Sequence, residues 1–145
     1  MTEPRFRKRI LVIDNDLGVR KTSKELLELK GYEVYVAEGV GERLIRHGLH
    51  LLSKNRCHLA LLDGRLLRDN DLEDKSGYEL ASQIARDHPW VVSVLLTGYE
   101  NFSLTRRALG PEGAAKDVVL KEEGPKALID RIDRVFSADI RCRWD

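Results

Sequence analysis

Four apolar runs in this chain end in polar residues of a restricted kind. Asp14-Asn15-Asp16 follows the first, Asp63 a later one, Thr97-Gly98 the next and Lys121 the last. Carboxylates, a hydroxyl and an ammonium are the groups from which nucleophilic attack, acid/base transfer and charge neutralisation are assembled. Any one of them alone is an ordinary turn or strand-ending residue. Their joint occurrence points to a site, provided that the elements behind them bring the ends together.

Those elements alternate between two hydrophobic periods. Short β-rich runs stand at Arg9 to Ile13, Tyr32 to Ala37, His58 to Leu62, Val91 to Leu96 and Asp117 to Leu120, with segments of helical spacing between them. Val19, Leu26 and Leu27 share a face in the first segment, Leu80, Ala81, Ile84 and Ala85 in the third, and Leu128, Ile129, Ile132, Val135 and Phe136 in the last. The second, about Val40 to Leu52, and the fourth, about Glu100 to Leu109, are less clean. Gly31, Gly77, Pro89, Gly110-Pro111 and Gly124-Pro125 punctuate the pattern. Strands alternating with helices require a parallel sheet covered on both faces, because each crossover packs back over the sheet. In such sheets ligands lie outside the carboxyl ends of the strands, where the strand order reverses. In the order 2-1-3-4-5 the first and third strands flank that reversal, so Asp14 and Asp63 face each other there.

Composition bounds the rest. The chain has 145 residues, 42% of them apolar, and 25 Lys and Arg against 24 Asp and Glu, a formal net charge of +1. Near-neutrality removes the argument for a nucleic-acid or acidic-membrane surface, so neither is expected as a direct partner. No stretch reaches membrane-spanning length. Behind the basic start, Ile10 to Ile13 is too short for a signal-peptide core, which places the protein in the cytoplasm. Cys57 and Cys142 lack metal or disulfide spacing, and His47, His50, His58 and His88 are dispersed, which suits surface or packing roles.

The runs ILVIDND, LALLD, VLLTGYE and VVLK, in that order, resemble the receiver domain of two-component response regulators, with the likeness spanning about Arg9 to Phe136. The resemblance implies a flavodoxin-like (βα)5 three-layer sandwich, sheet order 2-1-3-4-5. Residues 1–145 then form one domain, with a basic segment at 1–8 and a tail at 137–145. It implies Asp63 as phosphoacceptor, Thr97 and Lys121 as phosphoryl-binding groups, and Asp14 and Asp63 as Mg²⁺ ligands, joined by Asn15 and the backbone carbonyl of Arg65. The donor would be a phosphohistidine on a histidine kinase or phosphotransfer protein. The recipient of the signal would be a downstream protein or a second copy, met through the fourth helix, fifth strand and fifth helix. No turnover of an external substrate is implied. The chemistry explains the residue types, since two unit charges ~4 Å apart at an effective dielectric of ~20 repel by ~4 kcal/mol and cations must offset this. Mg²⁺ takes hard oxygen ligands and Lys121 is a point charge, so together they neutralise the equatorial oxygens.

Several positions depart from the family pattern. Asn15 stands where a second carboxylate is usual, and Arg65 two residues beyond the acceptor. Asp14, Asp63, Lys121 and Arg65 sum to zero charge, which predicts weak Mg²⁺ affinity, with Asp16 a conceivable substitute ligand. Gly77 comes fourteen residues after Asp63, a longer loop than usual, with Leu67 in place of its proline; Glu122 replaces another proline, and Val118 an aromatic switch. The acidic stretch with Asp69, Asp71 and Glu73 lacks the glycine and the twelfth-position glutamate of a calcium loop. Two other readings compete. A pseudo-receiver would bind protein without phosphorylation. A haloacid-dehalogenase-type phosphatase would use Asp14 as nucleophile and Asp16 as acid/base, but it leaves Asp63 unused and lacks a later acidic strand end.

Overall fold

The computed structural model describes residues 7–68, 71, 73–98, 102–110 and 114–138. The basic start at 1–6, positions 69, 100 and 101, Cys142 and the tail from 139 lie outside the described residues. The elements run β1 (Arg9–Ile13), α1 (Leu17–Leu29), β2 (Glu33–Val36), α2 (Gly41–Asn55), β3 (Leu59–Asp63), α3 (Ser76–Asp87), β4 (Val92–Thr97), α4 (Phe102–Leu109), β5 (Ala115–Leu120) and α5 (Pro125–Ala138), with a 3-10 turn at Lys121–Glu123. All strands pair in parallel, in the order β2-β1-β3-β4-β5. The alternating sequence pattern therefore folds as expected, and each run boundary shifts by no more than two residues.

The middle strands read as unbroken apolar runs because both of their faces are buried. Ile10, Val12, Leu59, Leu61, Val92, Val94 and Leu96 point into one core with Leu27 of α1 and Leu128, Ile132 and Val135 of α5. Leu11, Ile13, Ala60, Leu62 and Leu95 point into the other, with Leu44 and Leu52 of α2, Leu80, Ala81 and Ile84 of α3 and Ala108 of α4. Two helices thus cover one face and three the other. The dispersed histidines serve packing where the structure describes their bonds: His58 Nδ1 accepts the Arg9 amide (3.0 Å), His47 Nδ1 the Glu38 amide (2.8 Å), and His88 meets Trp90 edge-on. α5 is tied to β5 by a two-pronged pair, Arg131 Nη1 donating to both Asp117 oxygens at 3.0 and 3.1 Å.

The long segment between Asp63 and α3 is fastened at its base. Ser76 Oγ accepts the Leu66 and Leu67 amides (2.8 and 3.1 Å), and Asp74 Oδ2 accepts those of Leu67 and Arg68 (3.0 and 2.5 Å). The Gly77 amide donates to the Gly64 carbonyl at 3.0 Å, which seats the start of α3 directly on the end of β3.

That seating leaves no room at position 77. A β-carbon there would lie 1.9 Å from the Asp63 carbonyl oxygen and 2.7 Å from Gly64 Cα, backbone at the end of the central strand and just beyond it. At Gly48 the nearest atom is instead the Cδ1 of Ile13, a side-chain tip, at 2.3 Å. Gly77→Ala is expected to destabilise by about 3 kcal/mol or more, and Gly48→Ala by about 1–2 kcal/mol. Urea unfolding of the two variants measures the difference; equal losses would contradict the close approach at Gly77.

Candidate functional site

Three of the polar run ends converge. Lys121, the first residue after β5, reaches across the end of β4 so that its Nζ lies 3.1 Å from Asp14 Oδ2, 3.2 Å from Asp14 Oδ1 and 3.4 Å from Asp63 Oδ2. Its stem runs past Gly98, whose hypothetical β-carbon would touch Lys121 Cδ at 3.9 Å. The carboxylates are 2% and 3% exposed and the ammonium 23%, so the positive charge enters a buried acidic pair from the rim.

Backbone amides share the load. The Asp16 amide donates to Asp14 Oδ1 (2.8 Å) and the Arg65 amide to Asp63 Oδ1 (3.3 Å). The second oxygens, Asp14 Oδ2 and Asp63 Oδ2, are buried and make no hydrogen bond, although both lie within ion-pair distance of Lys121. Burial is the main force raising the Asp14 carboxyl, to about 7, with the nearby Asp63 charge adding to it and Lys121 and the Asp16 amide opposing. Asp63 is raised by burial as well, against Lys121, the Arg65 amide and Asp14. Burial also disfavours charge on Lys121, but the two carboxylates outweigh this and hold its ammonium above the ordinary range.

The remaining candidates surround this pair. Asn15 Nδ2 donates to the Arg65 carbonyl oxygen at 3.1 Å, so the amide and the carbonyl that the sequence offers as ligands are bonded to each other. Thr97 is buried at the end of β4 with its Oγ1 beside Gly64, 3.1 Å from where a β-carbon there would stand. Asp16 is spent elsewhere. Its Oδ1 caps α1 by accepting the Gly18 and Val19 amides (2.8 and 3.2 Å), and the residue is exposed, so this oxygen serves the helix rather than the buried pair. Among the described residues no cluster of three or more His, Cys, Asp or Glu surrounds a metal position. Even so, two orphaned carboxylate oxygens next to a backbone carbonyl and an amide side chain form an all-oxygen donor set that fits a hard divalent cation.

Two supporting residues escaped the sequence reading. Arg20 is buried on α1, its Nε bonded to the Asp14 carbonyl oxygen (2.5 Å) and its Nη2 to that of Gly39 (2.7 Å), which fixes the β1–α1 turn against the exit of β2. The available signal was a guanidinium on the same helical face as Leu27. Ser76, which holds the segment after β3, was signalled only as the residue before Gly77.

The raised Asp14 carboxyl has a consequence for stability. The folded chain keeps a proton near neutrality that the unfolded chain releases above about pH 4, so this contribution is complete below about pH 4 and disappears as pH rises through about 7. In chelator-treated buffer, Asp14→Asn should raise Tm by roughly 5 °C at pH 8 and by little at pH 4. Thermal melts at the two pH values check this, and a variant less stable than the parent at pH 8 would contradict it.

Comparison with known proteins fits this geometry. Residues 10–133 match the family model for the response regulator receiver domain. The aerobic respiration control protein ArcA of Escherichia coli (strain K12) is 30% identical over 129 residues, 88% of this chain and 48% of that protein. The phosphate regulon transcriptional regulatory protein PhoB of Pseudomonas aeruginosa is 26% identical over 132 residues, 89% of this chain and 52% of that one. The chain spans about half the length of the curated relatives it matches. A CheY-like receiver domain protein from Methanospirillum hungatei has a solved structure that aligns with a TM-score of 0.74 at 26% identity, covering 91% of this chain and 95% of that one. A response regulator from Thermotoga maritima shares the fold, with a TM-score of 0.74 at 20% identity over 92% of this chain and 100% of that one. Because the matched region runs from β1 into α5, through every strand that contributes to the hollow, the chain belongs to the response regulator receiver domains of two-component signalling.

Proposed function

We propose that this chain is one receiver domain, its core at about residues 9–136, that accepts a phosphoryl group on Asp63 in the cytoplasm and passes the signal on by a conformational shift. The observation that carries this reading is the approach of Lys121 to both Asp14 and Asp63 at the carboxyl edge of the sheet. A carboxylate oxygen of Asp63 attacks phosphorus. The P–N bond of a phosphohistidine breaks, and the imidazole leaves with the electron pair. Lys121 faces the negative charge of the phosphoryl oxygens, and the Thr97 hydroxyl donates to one of them. Receiver domains bind Mg²⁺ at their acidic pocket; here Asp14, Asp63, the Arg65 carbonyl and Asn15 are the residues that would hold it, and it would neutralise phosphoryl charge. The donor is a histidine kinase or a phosphotransfer protein. A downstream protein or a second copy receives the signal, without turnover of an external substrate.

Incubation with acetyl phosphate and Mg²⁺ followed by intact-mass measurement tests the acceptor. One phosphoryl mass should be gained by the parent protein and lost in Asp63→Asn. No gain in the parent protein would favour the pseudo-receiver, a reading supported by the Asn15 bond to the Arg65 carbonyl, which ties up two of the candidate ligands. Steady hydrolysis of a generic phosphate ester, abolished by Asp14→Asn and untouched by Asp63→Asn, would instead favour the phosphatase.

The cation affinity has its own measurement. Asn15→Asp adds a negative charge to the donor set and exchanges an amide donor for an acceptor, so the bond to the Arg65 carbonyl is lost. Mg²⁺ titration followed by Tm should show affinity at least about tenfold tighter than the parent, equivalent to ~1.4 kcal/mol. Unchanged affinity would mean that position 15 does not face the cation.

A further inference from the structure

Asp14 is held at both ends of the residue by groups of its own turn. The Asp16 amide donates to its Oδ1 at 2.8 Å, and Arg20 Nε donates to its main-chain carbonyl oxygen at 2.5 Å. Arg20 also donates through its own amide to the Asp16 carbonyl oxygen at 3.0 Å, so residues 14–20 close on themselves around one guanidinium. The second prong of that guanidinium, Nη2, donates to the Gly39 carbonyl oxygen at 2.7 Å.

Gly39 is a fixed point. The Ala37 amide before it is bonded to the Val12 carbonyl of β1 (3.0 Å), and the Glu38 amide to His47 Nδ1 of α2 (2.8 Å). Its φ of +103° would strain any side chain, and a β-carbon there would meet Arg43 Cβ and the Leu44 amide nitrogen at 3.4 Å. Arg20 itself is 8% exposed, and its guanidinium faces these two carbonyls rather than a carboxylate. Keeping a cation out of water without an anion beside it is costly. What the arrangement supplies is geometry, because both donors belong to one rigid plane and so fix the separation of the carbonyls they bind.

We infer that Arg20 is a positioning residue of the phosphoryl site, which holds Asp14 in place for the cation and uses the exit of β2 as its anchor. The inference rests on the reading of Asp14 as a ligand of that cation. A small hard cation demands near-ideal octahedral geometry, so a ligand that drifts is poorly used. The charge of Arg20 by itself works the other way, since a positive group near the hollow repels a cation. Geometry and charge therefore predict opposite signs when Arg20 is replaced.

Mn²⁺ is a suitable probe, because it takes the same oxygen ligands and the free ion is counted by electron paramagnetic resonance. In Arg20→Met, which keeps an apolar stem and loses both donors, affinity should fall by about 10- to 100-fold. Arg20→Lys keeps the charge but cannot span both carbonyls, and its affinity should fall as well. Ile132→Val trims the core under α5 and should lower Tm while leaving Mn²⁺ affinity unchanged. Tighter or unaltered binding in Arg20→Met overturns the inference, as does parent-like binding in Arg20→Lys or an equal loss in Ile132→Val.

The hold on Asp14 is also readable with no metal and no phosphoryl donor. Gly39→Ala disturbs the anchor, and the NMR resonance of the Asp16 amide reports the bond to Asp14 Oδ1. That resonance should move on Gly39→Ala in the parent and stay in place when the same change is made in the Arg20→Met background. Equal movement in both backgrounds, or none in the parent, overturns the inference. A parent that binds Mn²⁺ no better than Asp14→Asn counts against Asp14 as a ligand, and failure to gain phosphoryl mass counts against Asp63 as acceptor. In either case the amide comparison still decides whether Arg20 holds Asp14.

Discussion

Two carboxylates packed side by side under a protein surface are a constraint before they are a function. Neither Asp14 nor Asp63 sits at a tolerable cost unless positive charge and amide dipoles face it, and the fold supplies both. Lys121 is delivered by the turn that ends β5, while the amides of Asp16 and Arg65 are delivered by the turns that leave β1 and β3. The parallel sheet is what makes this possible, since only strands running the same way end on the same edge. Order 2-1-3-4-5 sets β1 beside β3 and leaves β5 beyond the intervening β4, within reach of a long flexible side chain but not of a short one.

The balance of charge in the hollow is close. Two acids against one base leave a carboxyl that retains its proton near neutrality, so the hollow resists full ionisation until something cationic enters. The replacement of a second acid by Asn15 changes the arithmetic, because its amide bonds to the Arg65 carbonyl and holds the β1 and β3 turns together without charge. The site is stabilised as it stands by contacts that a bound cation would have to replace, at the same places where the sequence departs from its family.

Much of this was legible in the chain. Runs such as ILVI and LALL, flanked by helical spacing and closed by Asp14 and Asp63, fix the layers and the edge on which chemistry collects, because strand length, period and crossover geometry are local properties. Lys121 and Thr97 could be read from their places after β5 and at the end of β4. What was not legible depends on distances between elements remote in sequence. The capping role of Asp16 required the start of α1 to be known within a residue. The bond between Asn15 and Arg65 spans two turns, and Arg20 looked like any charged helical residue until its partners at Asp14 and Gly39 were in view.

The base of the long segment after β3 has one more consequence. Bonds from Asp74 and Ser76 close it at Leu66, Leu67 and Arg68, so residues added beyond that clasp enlarge a loop whose ends are already joined. The entropic cost of such lengthening grows only logarithmically with residue number. The segment that leaves β3 can therefore vary in length and charge beyond the clasp while the backbone that carries Asp63 keeps its place.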